Sequence, residues 1–281
     1  MKTITLNNGV EMPMLGFGTF QLEDDHTCKR SVLTAIESGY RLIDTAVVYG
    51  SDDAVGEAIR ECGVPREELF VSSKVWISHM GYEKAKEWVD LALSRLDLDY
   101  LDMLLIHVPM GDVHGSWRAM EEMYEKGLVR SIGLSNFHED RMMDVMLYNK
   151  VKPAIVQLET HPFYQRNNEH QFCQEQGIVH EAWAPLAQGE KGIFTNKVLT
   201  AIGEKYNKTA AQVALRWNVQ REVVVIPSAT NPEFIKENIN IFDFELSPED
   251  MSLIASLDEN KTPFMDVRDY RTLELLTNMQ G

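Results

Sequence analysis

Residues 69–107 read LFVSSKVWISHMGYEKAKEWVDLALSRLDLDYLDMLLIH, and this stretch contains the repeating unit from which the fold is predicted. Two short apolar runs, residues 69–75 and residues 101–107, each predict a strand. Between them, apolar side chains recur at helical spacing in residues 83–96, which predicts an amphipathic helix. Such a linker is long enough for a right-handed crossover, so the two strands are expected to be parallel.

The same alternation of strand and helix continues in both directions along the chain. Eight strands are predicted, at residues 14–19, 41–46, 69–75, 101–107, 129–135, 154–159, 178–184 and 223–227. Eight such units in about 250 residues are typical of a closed (β/α)8 TIM barrel. The sequence therefore predicts an α/β fold in which residues 1–281 form a single domain. A doubly wound open sheet is the alternative, but no Gly-x-Gly-x-x-Gly turn follows the first strand.

Two segments lie outside the barrel units. Residues 1–13 contain two short runs around Asn7, Asn8 and Gly9, which predict an N-terminal β-hairpin whose turn tolerates positive φ. This hairpin is expected to cover the bottom of the barrel. Near the other end, Ser247 and Pro248 predict a helix start with Ser at the N-cap and Pro at the first helical position. A C-terminal helical tail is expected at residues 266–278.

The chain is strongly acidic, with 43 acidic against 27 basic side chains and a formal charge of −16. This charge opposes association with phosphate backbones and anionic lipid. No stretch approaches the roughly 18 apolar residues of a membrane helix, and the N-terminus lacks the apolar core of a signal peptide. A cytoplasmic protein without nucleic-acid or membrane partners is expected. Cys28, Cys62 and Cys173 lack metal or disulfide spacing and are expected to be reduced thiols.

Four polar residues stand at or just after the predicted carboxyl ends of the second, third and fourth strands, where barrel enzymes place catalytic groups. Asp44 ends the second strand and Tyr49 follows it, Lys74 closes the third strand, and His107 ends the fourth. Each residue alone has an ordinary explanation as a turn former, a packing aromatic or a backbone partner. Lys74 is the exception, because a Lys in an apolar strand needs a carboxylate partner, and Asp44 is on the neighbouring strand.

Together these four residues fit the reduction of a carbonyl group. Hydride addition creates an alkoxide that must be protonated as it forms, so a positioned acid lowers the barrier. Tyr49 is the candidate acid, and the Lys74 ammonium, held by Asp44, is expected to lower the pKa of its phenol. His107, in its neutral form, is the candidate hydrogen-bond donor that orients the substrate oxygen.

Eight motifs occur along the chain in the order of a known family: DTAVVYG, SKVW, LLIH-x-P, RSIGLSNF, VQLETHPF, APL, QVALRW and IKENINIFDFEL. With these motifs the chain resembles aldo-keto reductases along nearly its whole length. The resemblance implies an NAD(P)H-dependent oxidoreductase that reduces aldehydes or ketones to alcohols, or catalyses the reverse reaction. It also implies a monomer that needs no metal, and the catalytic tetrad Asp44, Tyr49, Lys74 and His107 with Tyr49 as proton donor.

The resemblance further implies a dinucleotide, NADP(H) in the family, extended across the barrel mouth without a Rossmann motif. Trp183 takes the place of the aromatic residue that stacks on the nicotinamide. The other implied cofactor contacts are Ser135, Asn136 and Gln157 at the carboxamide, Leu186 at the pyrophosphate, and Glu237 and Asn238 at the adenine end. Val48, Trp76 and His107 are the expected substrate contacts.

The segment after the eighth strand departs from the family, whose usual signature is Ile-Pro-Lys-Ser with an Arg five positions after the Ser. Here Ser228 and Ala229 replace the Lys and the Ser, and Phe234 stands at the Arg position. Both cations that hold the 2′-phosphate of NADP are missing, so use of NAD(H), or of both cofactors, is expected as a serious alternative. Residues that remain able to compensate are Ser228 and Thr230, by bonding a ribose hydroxyl, and Lys191 and Lys236, as replacement cations.

Two other functions fit parts of the same pattern. One is a regulatory protein that keeps the dinucleotide site but turns over negligibly. The other is an aldolase-type barrel in which Lys74 forms a Schiff base, since desolvated lysines are good carbonyl nucleophiles. The short segment at residues 109–116 is expected to be a mobile loop beside an open site for small or modest carbonyl compounds.

Overall fold

The computed structural model describes residues 2–22 and 24–278, which form a barrel of parallel strands surrounded by helices. A separate antiparallel hairpin comes first. A bridge between Leu15 and Val225 joins the first and last barrel strands, so the predicted (β/α)8 barrel is confirmed. The hairpin strands are β1 (Thr3–Thr5) and β2 (Glu11–Pro13), and the barrel strands, adjacent in sequence order, are β3 (Gly16–Gly18), β4 (Leu42–Asp44), β5 (Phe70–Val75), β6 (Met103–Ile106), β7 (Ile132–Ser135), β8 (Ile155–Glu159), β9 (Val179–Trp183) and β10 (Val224–Val225).

Helices follow the barrel strands and cover them from outside. None of the helices in the described part of the chain has the length and apolar character needed to cross a membrane. Short 3₁₀ segments lie at Val47–Tyr49, Arg66–Glu68 and Ile77–His79, and Ala187–Thr195 contains 3₁₀ turns separated by a kink with non-helical backbone at residues 188–192. The α-helices are α1 (Asp25–Glu37), α2 (Asp52–Glu61), α3 (Tyr82–Leu96), α4 (Val113–Glu125), α5 (Glu139–Tyr148), α6 (Asn167–Gln176), α7 (Lys197–Tyr206), α8 (Ala210–Gln220), α9 (Pro232–Ile239), α10 (Pro248–Ala255) and α11 (Tyr270–Thr277).

Helix α3 shows how the amphipathic pattern becomes packing. Its apolar positions are buried against the sheet, as the spacing of residues 83–96 predicts. Among them, Trp88 also donates a hydrogen bond from its indole Nε1 to the carbonyl oxygen of Lys74, at 2.8 Å. Because a buried indole N–H needs an acceptor, this bond fixes the helix against the end of strand β5.

The N-terminal hairpin covers the amino-terminal end of the barrel, as predicted. Leu6 and Met12 are buried in the same apolar cluster as the barrel-interior side chains Leu42 and Met103. The Asn7 Nδ2 group donates to the carbonyl oxygen of Pro153, just before strand β8, at 2.8 Å. The opposite, carboxyl-terminal end of the barrel is left as the open mouth.

The C-terminal elements also follow the predicted signals. Ser247 is the N-cap of helix α10, and its side chain and that of Asp250 form a reciprocal capping box. Helix α11 forms in the expected tail, and Leu276 from this helix is buried in the main core cluster.

The segment after β6 differs from the expected mobile loop at residues 109–116. Helix α4 already begins at Val113, because the Asp112 carboxylate accepts a hydrogen bond from the N–H of Gly115 at 2.8 Å. A Cβ atom at position 115 would lie only 2.1 Å from an Asp112 carboxylate oxygen. The glycine thus permits close packing of a helix cap, and the expectation of a loop was wrong for residues 113–116.

Candidate active site

The four candidate catalytic residues meet at the carboxyl-terminal mouth of the barrel. Asp44 is the last residue of β4, and Tyr49 ends the 3₁₀ segment that follows it. Lys74 lies next to the end of β5, and His107 comes directly after β6. Adjacent parallel strands end at the same rim, which is why side chains far apart in sequence converge here.

The deepest part of the site is a buried ion pair. The Lys74 ammonium donates to the Asp44 carboxylate, with Nζ to Oδ2 at 2.6 Å, and to the backbone oxygen of Thr45 at 3.0 Å. Burial pulls the pKa of Lys74 down, but the charge of Asp44 and its hydrogen bond to the ammonium outweigh this effect, so the pKa is raised. Lys74 therefore stays a cation, held in place by Asp44.

Tyr49 lies above this pair, with the Lys74 ammonium 5.1 Å from the centroid of its ring. Burial raises the pKa of the Tyr49 phenol, and the charge and hydrogen bond of Lys74 offset only part of this rise. The net shift of the Tyr49 pKa is therefore upward, although Lys74 lowers it as expected. The ammonium acts in the expected direction, but desolvation of the phenolate is the larger effect.

His107 faces Tyr49 with ring centroids 5.8 Å apart, and it contacts Trp76 with centroids 4.9 Å apart. Burial, together with the nearby Lys74 charge, holds the pKa of His107 well below its ordinary value, so the imidazole is neutral. Its Nδ1 atom is buried and has no hydrogen-bond partner in the described chain. A neutral imidazole beside the phenol provides a donor without a charge.

A second layer of polar groups lies beneath Asp44. Its Oδ1 atom accepts from Ser72 Oγ at 2.6 Å and from Gln157 Nε2 at 3.0 Å. Gln157 Nε2 also donates to Oε2 of the fully buried Glu181, at 2.9 Å. Sequence reasoning missed Ser72 and Glu181. The available signal for Glu181 was a charged residue inside the apolar run of residues 178–184, the same signal that identified Lys74.

These residues border a cavity of about 890 Å³ at the barrel mouth. Asp44, Tyr49 and His107 line this cavity, whereas Lys74 lies behind them and is completely buried. The expected substrate contacts Val48 and Trp76 also line it, together with the expected cofactor contacts Ser135, Asn136, Gln157, Trp183, Leu186, Ser228 and Thr230. Wall residues that sequence reasoning did not name individually include Phe20, Phe194, Phe264, Met265 and Leu276.

Trp183 is held at the mouth by the residue after strand β7. Asn136 adopts a left-handed backbone with φ 64°, and its Nδ2 donates to the backbone oxygen of His107 at 3.0 Å. Its Oδ1 accepts from the indole Nε1 of Trp183 at 2.9 Å. The ring centroid of Phe264, a residue of the C-terminal segment, lies 5.9 Å from that of Trp183. A flat aromatic surface is thus fixed beside the tetrad.

The residues expected at the adenine end of the cofactor lie further apart than those around Trp183. Ser228 and Thr230 are exposed at the rim, and Phe234 is 56% exposed on the first turn of α9. Glu237 and Asn238 are not among the cavity walls, and the Glu237 carboxylate accepts from the Thr209 hydroxyl at 2.7 Å.

The cavity walls include no Lys or Arg side chain among the described residues. Both proposed replacement cations are already paired with carboxylates. Lys191 lies 2.7 Å from Glu259, and Lys236 lies 3.5 Å from Glu233. The mouth therefore offers a phosphate or carboxylate group no unpaired cation among these residues.

Comparison with known proteins places this geometry in a family. Residues 14–259 match the model of the Aldo/keto reductase family. A glyoxal reductase of Bacillus subtilis (strain 168) is 46% identical over 260 residues, which cover 92% of this chain and 94% of that protein. A 9,11-endoperoxide prostaglandin H2 reductase of Trypanosoma cruzi is 43% identical, with 92% of each chain covered.

Solved structures agree with the sequence comparison. An aldo-keto reductase from a Medee basin deep-sea metagenome library superposes with a TM-score of 0.93 at 40% identity, covering 95% of this chain and 98% of that one. A Bombyx mori aldo-keto reductase in complex with NADP superposes with a TM-score of 0.88 at 32% identity, covering 92% and 94%.

Proposed function

This chain belongs to the Aldo/keto reductase family and is an NAD(P)H-dependent oxidoreductase of carbonyl groups, and we propose that Tyr49 is its proton donor. The observation that carries this assignment is the convergence of a protonated phenol, a buried Lys74–Asp44 ion pair and a neutral His107 on one cavity.

The walls of the cavity fit a nicotinamide dinucleotide. Gln157 offers an amide oxygen that accepts no hydrogen bond from the described residues, Trp183 offers a flat ring, and residues 184–186 line the mouth next to it. A bound reduced nicotinamide supplies the hydride. Ser135 and Gln157 would bind its carboxamide and hold the ring against Trp183.

The four residues of the tetrad have different roles in the protonation of the substrate oxygen. The neutral imidazole of His107 donates a hydrogen bond to the carbonyl oxygen and orients it toward Tyr49. As negative charge develops on that oxygen, the phenol of Tyr49 gives up its proton to it. The Lys74 ammonium stabilises the phenolate left behind, and Asp44 keeps the ammonium in position. In the reverse direction the phenolate accepts the proton, which requires a higher pH because the pKa of Tyr49 is raised.

For the finer choice of cofactor, we propose that the enzyme uses NADH about as well as NADPH. Ser228 and Phe234 occupy the positions where the family places cations, and the structure pairs Lys191 and Lys236 with carboxylates. A 2′-phosphate would therefore lose the charge-assisted hydrogen bonds that select for it, each of which is worth roughly 1.5–3 kcal/mol.

For the substrate, we propose neutral aldehydes and ketones with an apolar or aromatic body. The apolar and aromatic side chains that line the cavity include Phe20, Trp76, Val108, Phe264 and Met265. A carboxylate or phosphate on the substrate would lose water without meeting a cation there, which is costly.

The Schiff-base alternative is disfavoured by the state of Lys74. Attack on a carbonyl requires a neutral amine, whereas the pKa of Lys74 is raised and its Nζ is bound to Asp44 and Thr45. A regulatory role without turnover offers no reason for Tyr49 and His107 to share the cavity.

We also propose that the chain acts as one domain and as a monomer.

The proposed function is tested by following NADH and NADPH oxidation with two matched aldehydes, methyl 4-formylbenzoate and 4-carboxybenzaldehyde. The ester is neutral and the acid is charged, but their shapes are similar. We expect many turnovers with either cofactor and a kcat/KM at least about tenfold higher for the ester, since the acid must bury an unpaired charge. Tight cofactor binding without turnover would support the regulatory role instead.

A further inference from the structure

Glu181 is a buried carboxyl group that the reaction described above leaves without a role. It stands in the middle of β9, directly opposite Gln157 of β8 in the parallel register, and its side chain is completely buried. Its Oε2 accepts from Gln157, and its Oε1 has no hydrogen-bond partner in the described chain. A buried carboxyl group with a single partner is costly to keep in a barrel interior, where an apolar side chain would pack without that cost.

The contacts of Gln157 show what this carboxyl group does. One amide nitrogen, Nε2, lies 3.0 Å from Asp44 Oδ1 and 2.9 Å from Glu181 Oε2. A primary amide has two N–H bonds, and here each has its own carboxyl acceptor. The reverse orientation would place the amide oxygen against the Asp44 carboxylate, which can only accept. Asp44 and Glu181 therefore fix which way the amide points.

The consequence appears at the cavity wall. Gln157 lines the cavity, and its Oε1 receives no hydrogen bond from the described residues. We propose that Glu181 is a positioning residue of the cofactor site: with Asp44 it takes both N–H groups of Gln157 and turns the amide oxygen toward the cavity, as an acceptor for a carboxamide N–H of the nicotinamide. This inference rests on the proposed function, because it requires nicotinamide at this wall.

The role does not depend on the charge of Glu181. Burial and the nearby Asp44 charge raise the pKa of Glu181 to about 8, against the opposing effects of Gln157 and Lys74. At neutral pH Glu181 is mainly a carboxylic acid, and its carbonyl oxygen still accepts from Gln157. Above the pKa of about 8 it is a carboxylate, which accepts as well. A glutamine at position 181 keeps one accepting oxygen, whereas a methionine keeps the length of the side chain and removes the acceptor.

The test compares the affinities of two oxidised cofactors, the natural dinucleotide and its 3-acetylpyridine analogue, by calorimetry. The analogue keeps the carbonyl oxygen but has no N–H to donate. For the wild type we expect the natural cofactor to bind roughly threefold to tenfold more tightly, the difference that one neutral hydrogen bond makes. Glu181→Met should reduce this preference to less than about twofold, and Glu181→Gln should retain it.

His180→Leu is the matched control, because His180 lies on the same strand and bonds to Thr160, away from Gln157. It should leave the preference unchanged. If Glu181→Met does not fold, Glu181→Thr replaces it, since Thr is too short to reach Gln157. An unchanged preference in a folded Glu181→Met or Glu181→Thr variant would overturn the inference. Failure of the wild type to bind either cofactor would overturn the proposed function itself.

Discussion

Residue 228 is the rim position on which the proposed cofactor choice depends most. Ser228 is exposed beside Thr230 at the cavity edge, where the family signature has a Lys. A hydroxyl can bond to a ribose oxygen, but it cannot neutralise a phosphate, so the proposed use of both cofactors depends on this position.

Restoring the cation at this position should restore the preference for the phosphorylated cofactor. We expect Ser228→Lys to raise the ratio of kcat/KM for NADPH to that for NADH by about tenfold or more, as expected for one charge-assisted hydrogen bond. Ser228→Gln, which has a long side chain without charge, is the control and should change the ratio by less than about threefold. The ratio is measured from steady-state NAD(P)H oxidation. An equal gain in both variants would show that length, and not charge, limits NADPH use.

At the scale of the element, strands and helices were predictable because local signals determine them. The apolar runs at residues 69–75 and 101–107 became β5 and β6, and Ser247 became the N-cap of α10. The predicted hairpin and its position under the barrel followed from a turn signal and an apolar face. Asp44, Tyr49, Lys74 and His107 were located as candidates because strand ends define the mouth.

The parts that could not be predicted depend on contacts between distant segments. The C-terminal segment places Phe264 beside Trp183. Two residues earlier in this segment, the Thr262 hydroxyl donates to the carboxylate of Glu159. Thr262 and Glu159 are 103 positions apart in sequence, and no local pattern pairs them. The same limit applies to Tyr49, whose pKa depends on burial that only the folded barrel reveals.

At the scale of the whole molecule, the site carries a cost in stability. Burial, together with the nearby Asp44 charge, raises the pKa of Glu181 from 4.5 to about 8. The folded protein therefore holds this proton more tightly than the unfolded chain does. Between these two pH values unfolding releases the proton, so the contribution of Glu181 makes the fold less stable as pH rises.

Glu181→Gln should remove this pH-dependent penalty. We expect its melting temperature to equal that of the wild type near pH 4.5, to exceed it increasingly up to about pH 8, and to keep a constant advantage above that pH. The advantage at pH 8 should be at least about 2 °C, the shift that 1 kcal/mol produces in a domain of this size class. Calorimetric scans at several pH values measure it. A constant difference at every pH would mean that Glu181 does not titrate in this range.

The central claim is that Tyr49 protonates the substrate oxygen, and Tyr49→Phe tests it most directly because it removes one hydroxyl and keeps the ring. The measurement is kcat for reduction of methyl 4-formylbenzoate, with cofactor affinity determined for the same protein samples. We predict a loss in kcat of about 10²-fold to 10⁴-fold, the usual contribution of a general acid, with the cofactor Kd changed by less than about twofold. A variant that keeps more than about a tenth of the wild-type kcat would contradict the assignment of Tyr49 as the proton donor.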